Sequence, residues 1–363
     1  MVDRTDVREP SVARAPATRS SHSLVWLVPV LVVALVLSVL AAIGLGSATI
    51  PLDQTAHLLW EALTGGSVSR EEFPQYQIIW QIRTPRVLLA AVVGAGLAAV
   101  GVAMQAVVRN ALADPFVLGV SSGASVGAVA VSVTGALAAL SVYAVAAGAF
   151  VAALGATAVV YLLAQGRAGV TPLRLLLTGV ALSFGFQAAM SLLVYLVPTS
   201  ESTSTVLFWS MGSFGAATWA TVPVVAAVVL LGMVVLRRHG RVLDVLTLGD
   251  ETAASLGVHG ERHRKVLFAV TAAMTGAMVA ASGAIGFVGL VVPHITRMLV
   301  GAVHHRVLLV APLVGAVVMI WVDLFARTVA APRELPLGVL TAVVGVPVFV
   351  VLLRRRAYVF GGR

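Results

Sequence analysis

Apolar runs long enough to cross a bilayer recur along this chain from Leu24 to Leu353. Roughly 20 apolar residues in helical form match a hydrocarbon layer about 30 Å thick. Runs of that length, repeated end to end, read as an all-α polytopic membrane protein. Composition agrees, since 59% of the 363 residues are hydrophobic and only 11% are charged, against about 25% charged in a soluble domain. The chain has no cysteine, which excludes disulfides and thiolate metal sites. Its formal charge of +9 is explained by topology, because cytoplasmic loops collect Arg and Lys. No nucleic-acid partner is expected.

Pacing out the runs predicts about ten transmembrane helices. The first is Leu24–Leu45, an uncleaved span rather than a signal peptide, with cleavage after Ala48 as the alternative. The others are Val87–Val108, Val117–Leu137, Val142–Ala164, Leu173–Val197, Ala217–Leu236, Val266–Ala284, Ile285–Val300, Val307–Ala330 and Leu335–Leu353. An outer segment, Gly46–Arg83, holds an amphipathic piece, Leu52–Leu63, and a turn at Gly65-Gly66. The polar stretch Pro198–Phe214 has room for a short outer helix. Residues 1–23 form a cytoplasmic tail, 24–356 a single transmembrane domain, and 357–363 a C-terminal tail. Basic residues concentrate in the loops that an inside N-terminus makes cytoplasmic, including Arg237, Arg238, Arg262 and Lys265. Both termini are therefore expected in the cytoplasm.

The longest internal polar interruption is 237–265. A short helix is expected in its middle, with Asp250 and Glu251 suited to the positive end of the dipole and Gly257 as a left-handed cap. That helix is far too short to span a bilayer, so it is read as a surface on which another protein docks.

Several features have a bland reading. Gly119, Gly123 and Gly127 repeat every four residues, and Gly283, Gly286 and Gly289 every three; such spacings let helix backbones approach closely. Gly119-Val-Ser-Ser-Gly123 has the form of a nucleophile elbow, but it opens a membrane helix and lacks the strand-turn-helix setting. His304-His305 lacks further ligands at metal spacing, so no metal site is expected. Asp323 and Arg327 lie four apart on one helix face, read either as a local ion pair or as groups facing a cavity or partner. The chain's one lysine, Lys265, follows Arg264, so a P-loop is absent and no ATP hydrolysis of its own is expected. No cofactor is expected either.

Arg83-Thr-Pro-Arg86, Gly94, Gly101, Met104-Gln105, Arg109-Asn110, the run from Leu112 to Pro115 and the run from Leu118 to Ala124 resemble the second and third helices of one family. It is the permease family of ATP-driven importers for ferric siderophores, haem and vitamin B12. The segments Leu248–Val258, Gly283–Arg297 and Glu334–Pro347 resemble its ATPase-docking loop, eighth helix and last helix. The resemblance implies a homodimer or heterodimer of permeases, two cytoplasmic ATPase subunits and an extracytoplasmic substrate-binding protein, set in the cytoplasmic membrane. It implies that Leu248, Gly249, Asp250, Glu251, Ala254, Leu256 and Gly257 couple to the ATPase. It places Asn110, Leu112, Pro172 and Leu173 at a cytoplasmic gate, where Pro-Leu departs from the small polar residues of some relatives. It assigns Arg83, Arg86 and Arg327 to docking of the binding protein, with snorkelling to lipid headgroups as the alternative. The expected cargo is a ferric siderophore, with haem and cobalamin behind it. Two other classes stand beside this reading: an ion-coupled secondary transporter, which needs central carboxylates at broken helices, and an intramembrane hydrolase using Ser121 and His294.

Overall fold

A computed structural model describes residues 22–46, 50–114, 116, 119–166, 169–196 and 209–354. Most of the N-terminal tail, all of the C-terminal tail and most of the Pro198–Phe214 stretch lie outside the described residues. Backbone amides in hydrocarbon find no water, so each span satisfies its own in a helix. Helix α1 is His22–Gly44, α2 is Leu52–Thr64, and α3 is Phe73–Val107, π-helical through Gln77–Arg83. Then follow α4 (Val120–Thr134), α5 (Ala144–Ala164), a small antiparallel hairpin (Gln165–Gly166 with Gly169–Val170), and α6 (Pro172–Leu196). The chain continues as α7 (Thr221–Arg238), α8 (Gly240–Thr247), α9 (Asp250–Ser255) and α10 (Gly260–Ser282). It closes with α11 (Val288–Val300), α12 (His304–Thr328) and α13 (Leu337–Arg354). Among the described residues seven helices are long and apolar enough to cross a membrane, and α4, α11 and α13 contain shorter apolar runs.

The centre of the bundle is α3. Its most apolar window is 78% buried, against 6% for α1 and 11% for α6. It packs on α12, α11, α10 and α7, and two glycines set the closest approaches. A Cβ on Gly94 would lie 2.2 Å from the Gly315 carbonyl oxygen of α12. One on Gly101 would lie 1.9 Å from the Gly289 carbonyl oxygen of α11. Gly123 and Gly127 press α4 onto α5 in the same way, at Ala156 and Ala152.

Two expectations change. The second span begins at Phe73 rather than Val87, because the π-helical stretch carries α3 outward. The glycines at 283, 286 and 289 do not share a helix face. The chain leaves helix between Ser282 and Val288, with Gly283 and Phe287 both at φ 67, and of the three only Gly289 lies in α11. The break is held by the segment before α7: Ser213 N–H donates to the Ser282 carbonyl (2.8 Å) and Ala284 N–H to the Trp209 carbonyl (3.0 Å).

Candidate functional site

The polar loop builds a platform at one end of the bundle. Leu243 and Leu246 of α8 are fully buried, and Asp244 anchors α12: its Oδ1 accepts from the His304 backbone N–H (2.9 Å) and meets His304 Nδ1 at 2.6 Å. Burial alone would raise the Asp244 carboxyl; the two His304 bonds more than reverse this and hold it below the ordinary carboxylate range. Gly249 turns the chain at φ 107 into α9. Past its end, Gly257 takes φ 75, its N–H donating to the Ala254 carbonyl while Val258 N–H donates to that of Ala253. This double closure is a Schellman cap. Asp250 and Glu251 occupy the first turn, where the helix dipole favours negative charge. Asp250 also bridges two helices' ends, pairing with Arg264 of α10 and with Arg109 at 3.3 Å. The face left open carries Leu248 (62% exposed), Leu256 (59%) and Ala254. Leucines this exposed, at the two ends of a helix pinned by ion pairs and a cap, form an apolar surface with a fixed shape.

Beside the platform lie the segments expected to form a gate. Arg109 at φ 51 ends α3, and Asn110 Oδ1 accepts from Leu112 N–H (2.9 Å), closing an Asx turn. Asp114 repeats the device on Phe116 N–H (2.9 Å). Burial pushes the Asp114 carboxyl up to about 6, against the backbone N–H groups of Phe116 and Phe287 that favour its ionised form. Pro172 opens α6, and Leu173 is 65% exposed. The Asn110–Leu112 turn and Pro172–Leu173 adjoin the platform separately. The first does so through Arg109, and the second through Val170 and Thr171, which share a cavity of about 280 Å³ with Asp250, Ala254 and Gly257.

At the far end, Arg83, Arg86 and Arg327 do come together, but their guanidiniums turn inward, and each residue is only 4–6% exposed. Arg83 Nη1 donates to the carbonyls of Ile43 (3.1 Å) and Gly44 (3.0 Å), and Arg327 to that of Ala42. Two arginines thus cap the last carbonyls of α1, where the dipole is negative. Asp323, fully buried, pairs with Arg86 Nε at 2.9 Å and Arg327 Nε at 3.4 Å. The Asp323–Arg327 pair is therefore internal to the bundle and is completed by α3. Arg86 finally forks onto Glu334, with contacts of 2.7 and 2.9 Å. The hydrogen bond from Arg86 holds the Glu334 carboxyl below its ordinary range. None of the three arginines stands free at the surface. Lipid snorkelling fails as an explanation for the same reason.

A third feature is a cavity of about 240 Å³ lined by Ser121, Ser122, Ser125, Ser183, Gln187 and Ser210 among others. Ser121 Oγ has no hydrogen-bond partner among the described residues, so no Ser121–His294 hydrogen bond is formed there. No group of three or more His, Asp or Glu suited to a metal occurs among the described residues. Sequence reasoning missed Asp244, Arg264 and Glu334. Glu334 lies 248 residues from Arg86, and nothing local announces such a pair.

These elements can be set beside known proteins. A model of the FecCD transport family matches residues 33–355. The hemin transport system permease protein HmuU of Yersinia pestis is 39% identical over 331 residues, covering 90% of this chain and 96% of its own. The cobalamin import system permease protein BtuC of Halobacterium salinarum is 40% identical over 303 residues, covering 82% and 80%. A solved structure described as an inward-facing conformation of a metal-chelate type ABC transporter superposes with a TM-score of 0.78 at 34% identity, covering 90% of this chain and 98% of the other. With about 90% of the chain covered in sequence and in fold, the chain belongs to the FecCD transport family, whose members are transmembrane permease subunits of ABC transporters.

Proposed function

We propose that this permease carries an iron chelate, a ferric siderophore, across the cytoplasmic membrane by alternating access. It works as a dimer with a second copy or a paralogue, with both termini cytoplasmic and residues 24–356 as one transmembrane domain. Two ATPase subunits dock on α8 and α9, and a binding protein delivers cargo at the far end. The observation that carries the reading is the exposed pair Leu248 and Leu256, which flank the short helix α9 held by the Asp250 bridge and the Gly257 cap. An apolar surface so fixed suits a protein partner. Through Arg109, the same bridge ties that surface to the turn carrying Asn110 and Leu112, so motion of a bound ATPase would reach the gate. Haem and cobalamin, the cargoes named for relatives, are the competing substrates.

The test is uptake into proteoliposomes holding the permease, its ATPase and its binding protein. Ferric-siderophore uptake should require internal ATP and all three components. Preference for haemin or cobalamin over the siderophore would reassign the cargo. Uptake driven by a proton or sodium gradient without ATP would overturn the reading altogether.

A further inference from the structure

Among the three far-end arginines, Arg83 and Arg327 are engaged with the carbonyls of α1. Arg86 is engaged differently. Its Nε meets the fully buried Asp323 at 2.9 Å, while Nη1 and Nη2 meet the two oxygens of Glu334 at 2.7 and 2.9 Å. The exposures are lopsided: the Arg86 side chain is 8% exposed and that of Glu334 is 47%. Glu334 sits in the connection between α12 and α13, outside any helix. Fork-to-fork pairing of this kind is the geometry by which an arginine receives a carboxylate from another protein.

We propose that Glu334 is a built-in carboxylate plug for Arg86, displaced by an acidic side chain of the docking binding protein. This inference rests on the reading that a binding protein docks at the far end. The exchange is balanced in charge and in hydrogen bonds. One carboxylate leaves the fork and another enters, and two N–H···O bonds are broken and two are made. Asp323 stays on Nε throughout, so the guanidinium is never left bare in an apolar setting, where an unpaired charge is costly. Glu334 is already half in water, so its release requires little further exposure. The plug also supplies specificity. A lone anion must compete with a tethered carboxylate, whereas an acidic residue fixed on a complementary surface has the rest of its interface to help it.

An internal competitor lowers the apparent affinity of the partner by the fraction of time the site is open. The sign of the test is therefore unusual, because removing a surface carboxylate should tighten binding. The permease–ATPase complex in nanodiscs would be titrated with its binding protein. Glu334→Gln keeps the shape but can offer only one acceptor oxygen to the fork, and should lower the Kd roughly tenfold. Glu334→Asp, which keeps the charge on a shorter stem, should give a smaller tightening and serves if the glutamine variant folds poorly. The gain should vanish in an Arg86→Gln background, as a double-mutant cycle requires of coupled groups. If Arg86→Gln weakens binding while both Glu334 variants leave it unchanged or weaker, the arginine docks the partner and the plug is wrong. If Arg86→Gln binds as well as the wild type, docking at Arg86 fails and the plug with it.

Discussion

A single hydrogen decides whether α3 fits its neighbours. At Gly101 an added methyl group would lie 1.9 Å from a backbone carbonyl oxygen of α11, an atom that cannot swing aside. The two helices must separate, and the paired Gln105, whose Nε2 reaches the Gly289 and Leu290 carbonyls at 3.3 Å, goes with them. Gly101→Ala is expected to cost about 1–3 kcal/mol as an overpacking change, and Gly101→Val to abolish the folded permease. Gly286 is the control. It belongs to a similar glycine run, yet a methyl group added there would meet no atom within 4 Å among the described residues, and its φ is not left-handed. Gly286→Ala should leave the melting temperature in detergent unchanged. Equal losses at the two sites would show that the α3–α11 contact is looser than the backbone places it. Spacing alone did not separate these glycines, because a repeat of three says nothing of where a helix stops.

At the scale of elements, α9 is short enough that its ends decide its existence. Its first-turn acids and its left-handed glycine are local chemistry, legible over a few residues. Gly257→Pro cannot adopt φ 75 and should unwind the cap. Leu248→Glu with Leu256→Glu leaves cap and bridge intact while charging the apolar face. Both variants are expected to insert normally and to lose co-purification with the ATPase subunit by at least about tenfold, the order of change on removing anchors from an interface. Retention of the ATPase by the Leu248/Leu256 variant would move the docking surface elsewhere. The more distant partner of Asp250 was not legible: Arg109 lies 141 residues away, and only packing of α3 against the loop brings the two together.

At the scale of the molecule, the uneven burial of the helices carries the expectation. Both α1 and α6 leave most of their surface uncovered within one chain. In a bilayer such a face meets lipid or another protein, and lipid tails are as apolar as leucine, so exposure alone does not distinguish them. The proposed dimer does, if α6, which begins at Pro172 and Leu173, faces the partner. The absence of native cysteine allows a clean experiment. A single cysteine at Phe184, 73% exposed on α6, should cross-link two permeases in membranes, and one at Val33, 58% exposed on α1, should not. Cross-linking through Val33 alone would put α1 at the dimer interface.

The sequence by itself determined most of the helices and the capped loop, because apolar length, period and capping depend on residues near one another, but it set the start of α3 too late at Val87. It also singled out Arg83, Arg86 and Arg327 as residues that topology could not explain. Tertiary structure alone decided which groups those arginines meet. A guanidinium has several donors and a long reach, so its partners are whatever the packed helices carry to it. Here they carried the carbonyls of α1, the Asp323 carboxylate of α12 and the half-exposed Glu334. The same sequence cue, an arginine against the charge bias, fits a free docking group and an internal pair equally well. Only the placement of a carboxylate 248 residues away shows that Arg86 is internally paired.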